Sequence, residues 1–130
     1  MTEVTELRIA LTVRDFDQAL AFYRDALGLD QVADWSSAAG RVVALDAGRA
    51  TLELIDEAQA GLVDTVEAGR RVSGTVRFAL RVADSDGTAR RLAEAGAVQV
   101  APPVTTPWGD RNARVQAPDG MQLTLFAREL

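Results

Sequence analysis

The chain lacks three residue types on which many active sites depend. Its 130 residues include no cysteine, no histidine and no lysine, so all 14 basic side chains are arginines. Without cysteine there is no disulfide framework, thiol nucleophile or thiolate metal site. Without histidine the usual general base near neutral pH and the commonest metal ligand are missing, so a metal site would need oxygen donors. Without lysine no side chain can form a Schiff base.

Long hydrophobic runs and a positive charge balance are missing too. No apolar stretch approaches the ~20 residues that span a bilayer. The acidic segment Met1–Glu6 lacks the basic start and apolar run of a secretion signal, so we expect a cytoplasmic protein. The net charge of −5 argues against nucleic-acid binding, because phosphate neutralisation requires a basic face. The composition is therefore that of a soluble domain with no membrane or nucleic-acid partner.

What the chain does contain is an internal repeat. Leu7–Asp15 (LRIALTVRD) returns 69 positions later as Val76–Asp84 (VRFALRVAD). Each run favours a strand that ends at an aspartate suited to cap a helix, and the helical stretches that follow end at Gly28 and Gly96. Two copies of one unit tend to pair around a pseudo-twofold axis. Equivalent residues of the two copies are then expected to face a shared space.

The rest of the pattern gives both halves the same order of elements. In the first half the helix is followed by strands at about 31–37, 41–47 and 50–55. In the second half it is followed by a short strand near 97–100, a proline-containing loop at 101–108, and strands at 111–116 and 122–127. We therefore predict an α+β fold, one domain over residues 1–130 built of two βαβββ modules, 7–55 and 75–127. Residues 56–74 form the connector, with some helix near 62–68.

Five fragments of the chain resemble the vicinal oxygen chelate superfamily, which contains the glyoxalase I, bleomycin-resistance and extradiol-dioxygenase families. They are VRD at 13–15, AFYRDALGL at 21–29, LEL at 52–54, PWGDR at 107–111 and APDGMQL at 117–123. The resemblance extends from about Leu7 to Phe126. It implies that the two βαβββ modules form an incomplete barrel that cups a ligand or a metal ion, usually in a homodimer.

The resemblance also locates the four positions that supply metal ligands in metal-dependent members. They correspond here to Arg8 and Arg77, where the family usually has histidine, and to Glu53 and Thr124, where it has glutamate. Only Glu53 keeps the family type. An arginine stays protonated in a protein and offers no lone pair. We therefore expect that the metal site has been replaced and that the chain uses no metal or other cofactor.

Two interpretations of the replaced site remain open. Arg8, Glu53, Arg77 and Thr124 would line the floor of the cup, where the two arginines could hold a carboxylate, phosphate or enolate in a bidentate way. Alternatively, Arg8, Glu53 and Arg77 form a closed ion cluster that fills the former metal cavity.

The only two tryptophans are further candidates for ligand contact. Trp108 lies in the loop before the seventh predicted strand, where it either stacks on a planar ligand or anchors the loop. Trp35, on the second predicted strand, either forms part of the pocket wall or packs in the core or a dimer interface. Both belong to the predicted ligand-binding set.

Three functional hypotheses follow. The preferred one is a homodimeric, metal-independent protein that binds a small molecule, as in drug or metabolite sequestration of the bleomycin-resistance type. The alternative is a lyase, isomerase or dioxygenase-like enzyme acting on a small carbonyl or anionic substrate, with Glu53 as base and an arginine holding an enolate. The third is a regulatory or structural module whose cup is filled by side chains. The net negative charge of the chain favours a cationic ligand, whereas the two arginines favour an anionic one.

Overall fold

The computed structural model describes residues 8–9, 11, 13–50, 53 and 56–129. Helix α1 (Phe16–Ala19) continues directly as a π-helical segment (Leu20–Ala26). The elements that follow are β1 (Asp30–Asp34), β2 (Val43–Asp46), α2 (Glu57–Ala68), β3 (Phe78–Arg81), α3 (Ser85–Glu94), β4 (Val98–Thr105), β5 (Asp110–Gln116) and β6 (Gln122–Arg128). The strands predicted at 7–13 and 50–55 lie partly outside the described residues, which there include only 8, 9, 11, 13, 50 and 53.

The helix boundaries follow from the capping residues. The carboxylates of Asp15 and Asp84 each accept a hydrogen bond of 3.0 Å from the backbone N–H three residues later. This satisfies one of the amide donors that the first turn of a helix leaves free. Gly28 and Gly96 have φ angles of 90° and 107°, the left-handed conformation in which glycine is favoured at a helix end. Both pairs of boundary residues are confirmed.

The strands form two open sheets. β1 and β2 make an antiparallel two-stranded sheet, and the other four strands are arranged in the order β3-β6-β5-β4. β3 lies parallel to β6, whereas the remaining pairs of the larger sheet are antiparallel. From β3 to β6 the elements follow the predicted βαβββ order. The α+β class is confirmed.

The prediction of a loop at 101–108 is wrong, because β4 continues to Thr105. Proline cannot donate a hydrogen bond to a neighbouring strand and is therefore tolerated mainly on edge strands and at bulges. β4 is an edge strand, and its register against β5 shifts between Ala101 and Val104, on either side of Pro102 and Pro103. The two prolines therefore fit a strand at this position.

The connector helix is longer than the segment predicted near 62–68, because α2 begins after Asp56. The Asp56 carboxylate caps it by accepting a hydrogen bond of 2.8 Å from the backbone N–H three residues later. Two of the four residues that the helix buries are charged, Asp64 and Glu67. A helix whose buried side is partly charged has no clear hydrophobic period, which explains why the pattern understated its length.

One face of the larger sheet carries the hydrophobic core. It packs against α3 and the π-helical segment, and burial of each large apolar side chain contributes about 1.5–3 kcal/mol. The buried apolar residues at this contact are Phe22, Tyr23, Ala89, Leu92, Ala113, Val115, Ala117, Leu123 and Leu125. Within the described ranges no helix has the length and apolar character to cross a bilayer.

Candidate functional site

The opposite face of the larger sheet is polar. Alternate residues of a strand point to one side, and the pairing places Arg114 beside Thr124 and Asn112 beside Phe126. The polar face, as we name it, carries four arginines and one aspartate. Its polar and charged members are Arg77, Arg81, Asp110, Asn112, Arg114, Gln116, Gln122, Thr124 and Arg128.

The connector helix covers part of this face. α2 packs over β4 and β5, and its charged residues are all acidic. It therefore brings carboxylates to a basic surface, which is electrostatically favourable. Ala79 and Arg81 of β3 remain exposed, so the β3 edge of the polar face is open to solvent.

Glu67 is the carboxylate that α2 places against the middle of the polar face. Its Oε1 accepts hydrogen bonds from Arg114 Nη2 at 2.9 Å and Arg114 Nε at 3.2 Å. The Thr124 hydroxyl donates to the same oxygen at 2.6 Å, and Asn112 Nδ2 donates to Oε2 at 2.9 Å. Arg114 is completely buried and the other three residues are nearly so. A charged pair survives such burial only when its hydrogen bonds are satisfied, and here they are.

Asp64 is the second buried carboxylate of the cluster. Its Oδ1 accepts from Arg114 Nη1 at 2.9 Å, and its Oδ2 accepts from the backbone N–H groups of Val72 and Ser73 at 2.7 and 2.8 Å and from Arg71 Nη1 at 3.0 Å. Burial by itself would raise the pKa of Asp64. The hydrogen bonds from Ser73, Val72 and Arg114 outweigh burial and lower that pKa below its usual value. Asp64 therefore fastens the segment after α2 to the sheet.

The structure brings Arg77 and Thr124 together. Arg77 Nη1 donates to Thr124 Oγ1 at 2.8 Å, and Arg114 Nε lies 3.2 Å from the same oxygen. Since Thr124 also donates to Glu67, its hydroxyl joins two arginines to one carboxylate. Among the residues that the structure describes, no carboxylate forms an ion pair with Arg77.

Arg8 and Trp35 form a second contact between predicted site residues. The guanidinium carbon of Arg8 lies 5.0 Å from the centroid of the Trp35 ring, within the range of a cation–π interaction. Trp35 is 52% exposed. Glu53 is also exposed, and no hydrogen bond described for the chain joins it to Arg77 or Thr124. A role for Glu53 in ligand binding or as a base stays a prediction.

Trp108 lies at the turn between β4 and β5 and is 41% exposed. The turn is closed by its own hydrogen bonds. Thr106 N–H donates to the Asp110 carbonyl at 2.8 Å, and Asp110 N–H donates to Thr106 Oγ1 at 3.0 Å. Because hydrogen bonds of Thr106 and Asp110 hold the turn, Trp108 is not its sole anchor, and ligand contact by its indole stays a prediction.

Four members of the buried cluster were not among the candidates from sequence: Asp64, Glu67, Asn112 and Arg114. Two signals could have found them. Asn112 and Arg114 alternate on β5, which places two polar side chains on one face of a strand. Asp64 and Glu67 are three residues apart, the spacing that brings side chains to one side of a helix. Together, an acidic side of a helix and a polar side of a strand that carries an arginine predict an ion cluster between them.

Comparison with known proteins agrees with the fold and with the quoted motifs. Residues 7–125 match the model of the family described as Glyoxalase/Bleomycin resistance protein/Dioxygenase superfamily. The chain belongs to this superfamily. A solved member from Sphaerobacter thermophilus DSM 20745 is 30% identical, with 89% of this chain and 90% of that chain covered and a TM-score of 0.59. No protein of curated function matches the chain.

Two solved structures from Streptomyces sp. CB03234 are also similar. One, a glyoxalase/bleomycin resistance protein, is 30% identical over 87% of this chain and 91% of that chain, with a TM-score of 0.54. The other is TnmS3, described as an antibiotic binding protein. It is 24% identical over 99% of this chain and 100% of that chain, with a TM-score of 0.63. At that identity the likeness to TnmS3 shows the fold alone.

The residues present do not fit the divalent metal ion that some members of the superfamily bind. At Thr124, where the resemblance places a metal-binding glutamate, the hydroxyl is bonded to the Arg77 guanidinium and to Glu67. A permanent positive charge at this distance repels a cation and supplies no lone pair. Within the described part of the chain no group of three or more acidic side chains could hold a metal ion.

Proposed function

We propose that the chain is a metal-independent protein that binds a small molecule and thereby sequesters a drug or a metabolite. The observation that carries this proposal is the contact of Arg77 with Thr124, and of Thr124 with Glu67, at a position where metal-dependent relatives need a ligand. An arginine–threonine–carboxylate arrangement can bind polar groups of a ligand. It cannot supply the Lewis acid on which metal-dependent chemistry depends.

The open edge of the polar face supports binding from solvent. A surface depression next to it is lined by Arg81, Val82, Ala83 and Arg128. Trp35 and Trp108 offer exposed aromatic surface on which planar groups can stack. The proposed ligand-binding residues are Arg8, Trp35, Glu53, Arg77, Trp108 and Thr124.

The description of TnmS3 as an antibiotic binding protein is a precedent for non-catalytic binding in this fold. From the resemblance to the superfamily we also propose that the chain works as a cytoplasmic homodimer. Exposed apolar side chains such as Val32, Val42 and Val98 are candidates for contact with a second copy. Light scattering coupled to size-exclusion chromatography measures the mass directly.

Calorimetric titration tests the proposal. The chelator-treated protein is titrated with a panel of cationic glycopeptides and a panel of small aromatic acids. We expect saturable binding of at least one compound, with an affinity that does not change when Zn²⁺ or Mn²⁺ is restored. Trp108→Ala should weaken that binding. Absence of binding across both panels, or binding that appears only with metal, would overturn the proposal.

A further inference from the structure

Glu67 occupies a position that its own helix disfavours. It lies in the last turn of α2, where the helix dipole is negative and no basic residue of that turn compensates. It is also only 3% exposed. A buried carboxylate at the negative end of a helix is retained only if other groups stabilise it. Here all of these groups belong to the sheet: Arg114, Asn112 and Thr124.

These three residues form a complete binding site for a carboxylate. Arg114 donates two N–H groups to one oxygen, the Thr124 hydroxyl donates to the same oxygen and Asn112 donates to the other. Charge-assisted hydrogen bonds of this kind are about twice as strong as neutral ones. Both carboxylate oxygens are therefore satisfied by side chains that the sheet holds in place.

Two further observations indicate that the site suits a ligand rather than Glu67 alone. Asn112 Oδ1 is buried and has no hydrogen-bond partner in the described part of the chain, which leaves an acceptor free for an O–H or N–H group. Arg77, bonded to Thr124, adds a guanidinium with no ion-pair partner among the described residues. The site therefore has one acceptor and one positive charge more than Glu67 uses.

We propose that Arg114, Asn112 and Thr124 form a binding site for the carboxylate of a small organic acid, and that Glu67 occupies this site as a tethered substitute. This inference rests on the proposed function, since it names the ligand class of the same polar face. A ligand entering from the open β3 edge displaces the Glu67 carboxylate. Asp64 keeps its hydrogen bond from Arg114 Nη1, so α2 remains attached to the sheet while its last turn moves.

Removal of the substitute gives the test. In Glu67→Ala the site is vacant, and acetate or benzoate should raise the thermal unfolding temperature saturably, whereas chloride at equal ionic strength should not. Inorganic phosphate serves as a tetrahedral anion and should be weaker than the planar carboxylates. The affinity of the variant for acetate should exceed that of the wild type by about tenfold, the factor expected when the effective concentration of the tethered Glu67 carboxylate is about ten times its own dissociation constant.

Glu57→Ala is the matched control, because Glu57 is an exposed acid on the same helix. It removes the same charge without opening the site and should respond to carboxylates only as weakly as the wild type does. An equal response of the two variants would overturn the inference. So would a response of Glu67→Ala that chloride reproduces.

Hydrogen exchange of the wild type decides the question if Glu67→Ala does not fold. Benzoate should then accelerate amide exchange at Thr65–Gly69, the last turn of α2, and leave β5 unchanged; no acceleration would contradict the inference.

The two proposals can fail separately. If the wild type binds a panel compound but Glu67→Ala gains no affinity for acetate, the tethered-substitute inference fails and the proposed function stands. If Glu67→Ala captures acetate but the wild type binds panel compounds only when metal is restored, the proposed function fails and the tethered-substitute inference stands.

Discussion

Thr124 on β6 donates its hydroxyl hydrogen to Glu67 on α2 over 2.6 Å. The contact joins the second half of the chain to the connector between the halves. The resemblance places a metal-binding glutamate at position 124, and the structure places a carboxylate beside that position from a different element. That carboxylate is neutralised by Arg114. We propose that this ion cluster takes the place of the cation that metal-dependent relatives hold.

Arg114 should be the largest single contributor to the stability of this cluster. Arg114→Met leaves the Asp64 and Glu67 carboxylates buried without their shared partner, and breaking a buried ion pair in this way costs about 3–5 kcal/mol. Urea unfolding followed by circular dichroism measures the loss. Arg111→Met is the control on the same strand, because Arg111 pairs with the half-exposed Asp86. The control should lose much less; equal losses would show that burial of the cluster is unimportant.

Asp64 should make the fold sensitive to acid. Because its pKa is lowered in the folded protein, its ionised form stabilises the fold above the unfolded-state pKa of about 3.9. That contribution decreases as the pH falls below this value. Asp64→Asn should be less stable than the wild type at neutral pH and should depend less on pH in the acid range. Urea titrations at several pH values compare the slopes, and parallel curves would contradict the assignment.

Tyr23 provides a spectroscopic test at alkaline pH, because it is the only tyrosine of the chain. Burial raises its pKa, and the charge of Asp119 and the hydrogen bond of 2.9 Å from the Tyr23 hydroxyl raise it further. The protonated phenol therefore stabilises the fold below the free-tyrosine pKa of about 10, and this contribution is lost as the pH rises above it. Tyrosinate absorbance should appear together with the loss of circular dichroism. Titration near the free-tyrosine pKa with the fold intact would contradict the burial.

Much of the fold could be predicted from local chemistry. Asp15, Asp84, Gly28 and Gly96 define helix ends by capping and by φ, which depend on the residue itself and its neighbours in sequence. The repeat predicted the βαβββ order that the second half adopts. The proline segment of β4 could not be assigned in this way, because the tolerance for proline depends on β4 being an edge strand.

The candidate site was predictable only in part. Arg77 and Thr124 stand at positions that the resemblance assigns to metal ligands, and the two residues lie in contact. The partner of Thr124, Glu67, is 57 positions away on a helix with no clear hydrophobic period. Its place in the site depends on how α2 packs, which no local pattern specifies. The same holds for Arg114, whose role emerges only when both sides of the contact are known.

The two tryptophans should report ligand binding separately. Each is about half exposed, so a ligand that stacks on one ring should change the fluorescence of that indole alone. Trp35→Phe retains the signal of Trp108, and Trp108→Phe retains the signal of Trp35. We expect a ligand from the titration panels to change fluorescence in the Trp35→Phe protein. A ligand that binds without altering either variant would remove both residues from the proposed site.

The central claim is that an arginine–carboxylate cluster has replaced the metal site. The most direct test is the metal content of tag-free protein by mass spectrometry, followed by calorimetric titration with Zn²⁺, Mn²⁺ and Fe²⁺. The account predicts a metal content well below one equivalent and no saturable heat with any of the three ions. One tightly bound ion per chain, lost in Glu53→Gln, would contradict it.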